Sequence, residues 1–422
     1  MTIPQTDNID NAVFLGRQPI LDRTQQIVAY ELLFRASGGS NAALIEDNFR
    51  ATAEVVVRAF VEMGLVNVLG NYSGYINVDE RFLASELVEL LPRDRVVLEI
   101  LETVQLTPAV VTRLRELRQK GMRLALDDFT HLRPEQVPVL DLVEVVKVDL
   151  LGLQADEIPP IVEYLHRWPL KLLAEKIDDS EQFQHCSQLG FELFQGYYFA
   201  KPTILVGRRI DPARIGVLRL IKLVISDAEA DELEQEFKHY PHLTYKLLRL
   251  VNSVAFGVAT QIASLRHAIT ILGRRQLQRW LQLLLFTQRA EGAPPGQPLF
   301  ALAATRGKLM ELMMDSIAPG NRGQVDQAFM VGVLSLLDVL FGIPLPDLLM
   351  ELNLADAVRS ALLNGEGLLG RLLSIVRALE QNRFADVIAL SAELPRLSLS
   401  QVNQAQIQAL GWANELSATA GG

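Results

Sequence analysis

The chain has a single cysteine, Cys186, among 422 residues. An intrachain disulfide is thereby excluded, and such usage suits a reducing compartment. Positive charge is also in short supply. Lys and Arg total 40 against 50 Asp and Glu, for a net charge of −10. A duplex-binding protein usually carries a basic stripe, so nucleic acid is disfavoured as a partner. The first residues, Met1-Thr-Ile-Pro-Gln-Thr-Asp7, have neither a basic start nor an apolar signal core. Long apolar runs are lacking too. The most membrane-like stretch, Ala328 to Leu345, is interrupted by Ser335, Asp338 and Pro344. It is short for a span and reads as a buried helix, so no membrane is expected and the expected location is the cytoplasm. There is no short repeat or low-complexity tract. What remains is an ordinary globular composition, 49% hydrophobic and 21% charged. The chain is too long for one core, so two domains are expected.

Six apolar runs in the first half each end on a metal-binding or acid/base type of residue. They close on Asn77, Glu99, Asp127-Asp128, Asp149, Glu175 and Gln195, in steps of 22, 28, 22, 26 and 20 residues. That is the repeat of a strand plus a helix, and amphipathic patterns such as Thr52–Val61 and Val110–Leu117 lie between the runs. Two earlier β-type segments, Ala12–Arg17 and Ile27–Phe34, are joined by a linker too short for a crossover helix, so this pair should be antiparallel. Two plus six strands close a barrel. The expected fold is α/β followed by all-α: a TIM-like (β/α)8 barrel with an antiparallel first strand pair over residues 1–205, then a helical domain over 206–422. A polar residue at the exit of every buried strand is what such a barrel needs to build a site on one face.

Glu31, Glu99, Asp127, Asp128, Asp149 and Glu175, with the amide of Asn77, make an oxygen-rich set. Hard cations such as Mg²⁺ or Mn²⁺ prefer oxygen, whereas zinc more often recruits His and Cys. None of the six histidines lies on these strand ends. Facing acids repel one another unless cations neutralise them. Two such cations can activate a water and stabilise a leaving oxygen in phosphodiester hydrolysis. Lys147 shares a strand face with Asp149 and is suited to orienting water or neutralising developing charge.

The motif Tyr30-Glu-Leu-Leu-Phe-Arg35 resembles the signature of the EAL family of cyclic di-GMP phosphodiesterases, with leucine for alanine. Asn77, the Leu98-Glu-Ile-Leu-Glu102 run, Asp127-Asp-Phe129, Lys147-Val-Asp149, Ala174-Glu175 and Gln195-Gly-Tyr-Tyr-Phe-Ala-Lys-Pro202 resemble the rest of its pattern, in order, over residues 13–202. The resemblance implies a barrel that converts cyclic di-GMP into the linear dinucleotide with Mg²⁺ or Mn²⁺. It implies that Glu31, Asn77, Glu99 and Asp127 ligate one metal and that Asp128 and Asp149 hold a second. Lys147 and Glu175 would act on the water or its ligands, Gln195 would complete the shell, and Arg35 would meet a substrate phosphate. It also allows a homodimer. The sequence departs from the family in three places. Thr130–Glu135 replaces a glycine-rich loop that couples metal binding to dimerisation, Lys176 replaces a glycine, and Asp178 replaces a glutamate. These changes point to slow turnover on an intact first metal shell.

From Ile210 onward helical spacing takes over, as in Leu243, Leu247, Leu250 and Val251, or Leu277, Leu281, Leu284 and Leu285. His242–Ser253 followed by Ile262–Gly273 resembles the HDOD domain, a helical relative of HD phosphohydrolases that lacks their metal ligands. Ser335 and Leu336 stand where a hydrolase would place His and Asp. Regulatory protein partners are therefore expected for this half. Two alternatives stay open: a non-catalytic scaffold docking proteins through both domains, and a barrel enzyme acting on another phosphoester.

Overall fold

The structure is a computed structural model that describes residues 13–36, 68–196, 212–252, 264–287, 297–350 and 352–420. The chain divides into two compact units, residues 1–203 with 377–422, and residues 204–376. The sequence pattern groups everything after 205 together. Residues 377–422 instead belong with the first half.

The first unit is a closed barrel with strands in sequence order. They are β1 (Val13–Asp22), β2 (Ile27–Ala36), β3 (Ser73–Val78), β4 (Val96–Ile100), β5 (Arg123–Phe129), β6 (Val145–Asp149), β7 (Lys171–Glu175) and β8 (Leu193–Phe194). β1 is antiparallel to β2 and to β8, and the remaining neighbours are parallel. The β1–β2 reversal is a tight turn in which Asp22 Oδ1 accepts from the backbone N–H groups of Thr24 and Gln26. No crossover fits there, which fixes the antiparallel sense.

Helices α1 (Glu80–Ala84), α2 (Pro108–Gln119), α3 (Val137–Leu140), α4 (Ile158–Leu165) and α5 (Ser180–Leu189) follow strands β3 to β7. α2 shows why they form where they do. Thr107 caps its start by accepting from the Val110 N–H, Pro108 opens the first turn, and Val110, Val111, Leu114 and Leu117 form its buried stripe. The helix expected over Thr52–Val61 lies outside the described residues.

Two interior layers fill the barrel, because residues two apart on a strand share a face. The lower layer is apolar: Ile20, Ala29, Tyr75, Val97, Ala125, Val145, Leu173 and Leu193. Two residues further on along the parallel strands come Glu31, Asn77, Glu99, Asp127, Lys147, Glu175 and Gln195. On β1, which runs the other way, the corresponding step is backward, from Ile20 to Gln18. An apolar plug therefore carries a polar ring.

The second unit is helical. It contains α6 (Pro212–Ile225), α7 (Ala230–Lys238), α8 (Pro241–Val251), α9 (Leu265–Thr287), α10 (Gln297–Ile317), α11 (Arg322–Leu334), α12 (Leu337–Phe341), α13 (Leu345–Met350) and α14 (Asp356–Asn364). Leu243, Leu247 and Val251 are buried, as are Leu277, Leu281, Leu284 and Leu285. Leu250 is only partly so. α9 is kinked at Gly273, whose φ is 72°. α10 and α11 approach backbone to backbone: a Cβ on Gly332 would sit 2.7 Å from the Arg306 carbonyl oxygen. Among the described residues, Arg322–Phe341 alone is apolar and long enough to cross a membrane, and 67% of its most apolar window is buried inside the protein.

α15 (Gly367–Glu380) carries the boundary between the units, and α16 (Phe384–Ala392) and α17 (Leu399–Ala420) belong with the barrel. α17 packs on β1. The buried Gln406 donates through Nε2 to the Leu15 carbonyl at 2.7 Å, and Arg17 donates to Asn414 Oδ1 at 3.3 Å.

Candidate metal centre

The polar ring converges on one ammonium group. Lys147 is 1% exposed, and its Nζ lies 2.8 Å from Glu175 Oε1, 3.0 Å from Asp127 Oδ1 and 3.4 Å from Glu31 Oε2, with Glu99 Oε1 in direct contact. Amides tie the ring together on the other side. Gln195 Nε2 donates to Glu31 Oε2 at 2.6 Å and to Gln18 Oε1 at 2.9 Å, and Asn77 Nδ2 donates to Glu31 Oε1 at 3.2 Å. The structure thus brings together Glu31, Asn77, Glu99, Asp127, Lys147, Glu175 and Gln195. Gln18 was not legible in the sequence, since the reversed β1 places it before its plug residue rather than after.

Burial and like charge set the protonation of the ring. Burial pushes the Glu99 carboxyl well above its ordinary range, and the Lys147 charge only partly offsets it. Burial likewise raises Glu175 to about 7, against the pull of Lys147. Burial opposes the Lys147 charge, but Glu99, Glu31, Glu175 and Asp127 outweigh it and hold its pKa well above the lysine norm. The acids thus outnumber the resident cation.

Among the described residues, Asn77 Oδ1, Glu99 Oε2, Glu175 Oε2 and Gln195 Oε1 are buried oxygens without a hydrogen-bond donor. Buried acceptors left unmet cost free energy. A ring of oxygens short of donors fits a hard divalent cation, which needs only lone pairs.

A rim of acids stands one step above the ring. Asp127 and Asp128 are consecutive and on a regular strand would face opposite ways. The β5–β6 register shifts between Leu126 and Phe129, and Asp128 takes a left-handed backbone at φ 45°. Asp128 and Asp149 then meet over a second ammonium: Lys176 Nζ is 2.6 Å from Asp149 Oδ2 and 3.4 Å from Asp128 Oδ1. Burial opposes the Lys176 charge, and the Asp149 hydrogen bond with the Asp128 charge raises its pKa nonetheless. On the other side, carboxylate oxygens of Glu102, Asp127 and Asp128 lie within 4.8 Å of one another, a grouping able to hold a cation. Glu102 is exposed and lies outside the strand-exit pattern, three positions past Glu99 in the same Leu-Glu-Ile-Leu-Glu run. Arg35 pairs with Phe14 on the β1–β2 ribbon. Its side chain lies outside the described residues.

The loop after Phe129 is short and pinned. Pro134–Gln136 forms a 3-10 turn that runs into α3, and the buried Gln136 accepts from the Arg133 N–H at 2.9 Å. Asp178 is exposed, and its backbone N–H donates to Gln182 Oε1.

In the helical unit, Ser335 is 4% exposed and is held by Arg306, whose Nη1 donates to Ser335 Oγ at 2.6 Å. Ser335 Oγ in turn donates to the Gly332 carbonyl. A guanidinium against Ser335 and a buried Leu336 leave that place unsuited to a cation. His239, His242 and His267 are exposed, and Asn252 caps α8.

Residues 9–202 match the EAL domain family and residues 216–351 match the HDOD domain family. The cyclic di-GMP phosphodiesterase CdgJ of Vibrio cholerae is 30% identical over 407 residues, covering 96% of this chain and 93% of CdgJ. The uncharacterized protein YuxH of Bacillus subtilis is 28% identical over 410 residues, covering 96% of this chain and 98% of YuxH. Among solved structures, an EAL domain protein from Listeria monocytogenes is 24% identical, with a TM-score of 0.38, and covers 47% of this chain and 93% of its own. With both domains matched in order, and with a relative of that identity aligned over nearly its whole length, this chain belongs to the family of proteins that join an EAL domain to an HDOD domain.

Proposed function

We propose that the barrel binds cyclic di-GMP with a divalent cation, Mg²⁺ or Mn²⁺, and hydrolyses it slowly to the linear dinucleotide. The observation that carries this reading is the buried ring of donor-starved oxygens at the strand exits. Glu31, Asn77, Glu99 and Asp127 would hold the cation. Asp128 and Asp149 offer a second set of oxygens, which embrace the Lys176 ammonium in this structure. When bound, a hard cation supplies the Lewis acidity that activates water and stabilises the leaving oxygen.

The chain's own groups do the rest. Lys147, fixed at the centre of the ring, places a positive charge where negative charge develops on the phosphoryl oxygens. Glu175, poised to exchange a proton near neutral pH, is suited to accept one from the attacking water. Gln195 holds Glu31 in place through its amide. Arg35 is assigned to a substrate phosphate and the helical unit to regulatory protein contacts, in a cytoplasmic protein.

One observation favours binding over rapid turnover. The short, pinned 130–136 segment stands where a glycine-rich loop shapes the site in the family, and a misplacement of about 1 Å can cost on the order of 100-fold in rate. The deciding experiment is calorimetric titration of cyclic di-GMP into the full chain with and without Mn²⁺. Metal-dependent binding that is lost in Glu31→Gln/Glu99→Gln supports this reading. No binding under either condition would give the barrel to the scaffold alternative.

A further inference from the structure

Two left-handed residues face each other across the rim, and neither is glycine: Asp128 at φ 45° and Lys176 at φ 58°. L side chains adopt this backbone only at a cost, and they do so where the surroundings compensate. The compensation at Lys176 is visible. Its side chain reaches back from the end of β7 to ion-pair with Asp149 at 2.6 Å and with Asp128 at 3.4 Å. The backbone beyond it is locked in turn, since the Ile177 N–H donates to the Gln195 carbonyl at 3.1 Å. Asp149 is fixed from its other oxygen, where Oδ1 accepts from the Leu151 N–H at 2.9 Å. Two rim carboxylates, an ammonium between them and a strained backbone that delivers it make one built arrangement.

We propose that the Lys176 ammonium is a tethered cation for the Asp128–Asp149 pair, so that this barrel takes up one divalent ion although its acids are laid out for two. The proposal rests on the metal-binding reading given above and adds to it the residue that sets the number of ions. A monovalent charge on a side chain neutralises the pair and excludes a free dication by repulsion and by occupancy. It cannot polarise a water as a dication does. Lys176 is thus a positioning residue that trades the second ion for a permanently attached charge.

The test counts ions on the full chain by equilibrium dialysis against Mn²⁺ followed by elemental analysis. Lys176→Gly removes the ammonium and relieves the left-handed strain, so its fold should hold. The expected result is one Mn²⁺ per chain in the wild type and in Lys176→Arg, and two in Lys176→Gly. Glu31→Gln/Glu99→Gln should remove the first ion, which identifies the ring as its place. Two ions in the wild type, or one in Lys176→Gly, would overturn the role of Lys176 and leave the ring's metal site standing. No Mn²⁺ bound by either protein would overturn both.

Discussion

Replacing Lys147 by methionine keeps an unbranched side chain, one atom shorter, and deletes the cation that, among the described residues, meets Glu31, Glu99, Asp127 and Glu175. The four acids then face one another with no counter-charge in the ring. Breaking a buried ion pair by removing one partner costs about 3–5 kcal/mol. Glu99 and Glu175 already hold raised pKa values and take up protons when the lysine is lost, which keeps the cost toward the lower end. For a unit of this size each kcal/mol lowers the melting temperature by about 2–4 °C, so Lys147→Met should melt roughly 10 °C below the wild type. Scanning calorimetry in EDTA measures it. Saturating Mn²⁺ should recover most of the loss and should shift the variant more than the wild type, because the ion replaces the missing charge. At mildly acidic pH the gap should narrow as the acids protonate. A variant that melts with the wild type in EDTA, or that gains no more than the wild type from Mn²⁺, would refute the view of Lys147 as the ring's counter-ion.

The Glu175 carboxyl, raised by burial to about 7 from an ordinary 4.5, makes the metal-free barrel pH-sensitive. A carboxyl whose folded value lies above its unfolded one contributes fully below the unfolded value and loses that contribution as pH rises through the folded one. The metal-free protein should therefore lose up to roughly 3 kcal/mol across that window. Because Mn²⁺ competes with the proton, its stabilising shift in melting temperature should grow over the same window and level off above it. In the helical unit, Arg306 against Ser335 predicts inertness: full-length Glu31→Gln/Glu99→Gln should show no metal-dependent phosphohydrolase activity, and robust turnover that survives repurification would contradict this. Finally, Gln406→Leu removes the Nε2 donor to the Leu15 carbonyl and should destabilise the barrel by about 1 kcal/mol in denaturant titration, whereas no change would show that α17 does not support β1.

The sequence exposes the ring because a parallel barrel strand repeats one rule, an apolar interior residue followed two positions later by a polar one. Asn77, Glu99, Asp127, Glu175 and Gln195 obey it directly. Lys147 obeys it too, and Asp149, which ended its run in the sequence, turns out to stand one step higher on the rim. Gln18 escapes because β1 runs backward, so the rule applies in mirror order. Glu102 escapes because it follows the strand and is brought to Asp127 and Asp128 by a loop, which no period describes. Lys176 was visible only as a missing glycine. That its backbone stays left-handed and delivers an ammonium to Asp149 depends on three-dimensional closure. The place of residues 377–422 was hidden for a similar reason: a helical pattern states that a face must be buried, not which partner buries it.

Chromatography of the linear dinucleotide formed from cyclic di-GMP, with Mn²⁺ or with EDTA, bears most directly on the assignment of the ring as a slow phosphodiesterase centre. Three proteins are needed: the wild type, Glu99→Gln and Lys147→Ala. The wild type should release product slowly and only with the metal, Glu99→Gln should release none, and Lys147→Ala should bind cyclic di-GMP yet turn it over far more slowly, because the ammonium acts on charge that develops in the transition state. Product formed at the wild-type rate by Glu99→Gln or Lys147→Ala, or no product from a wild type that binds cyclic di-GMP and Mn²⁺, would contradict that assignment.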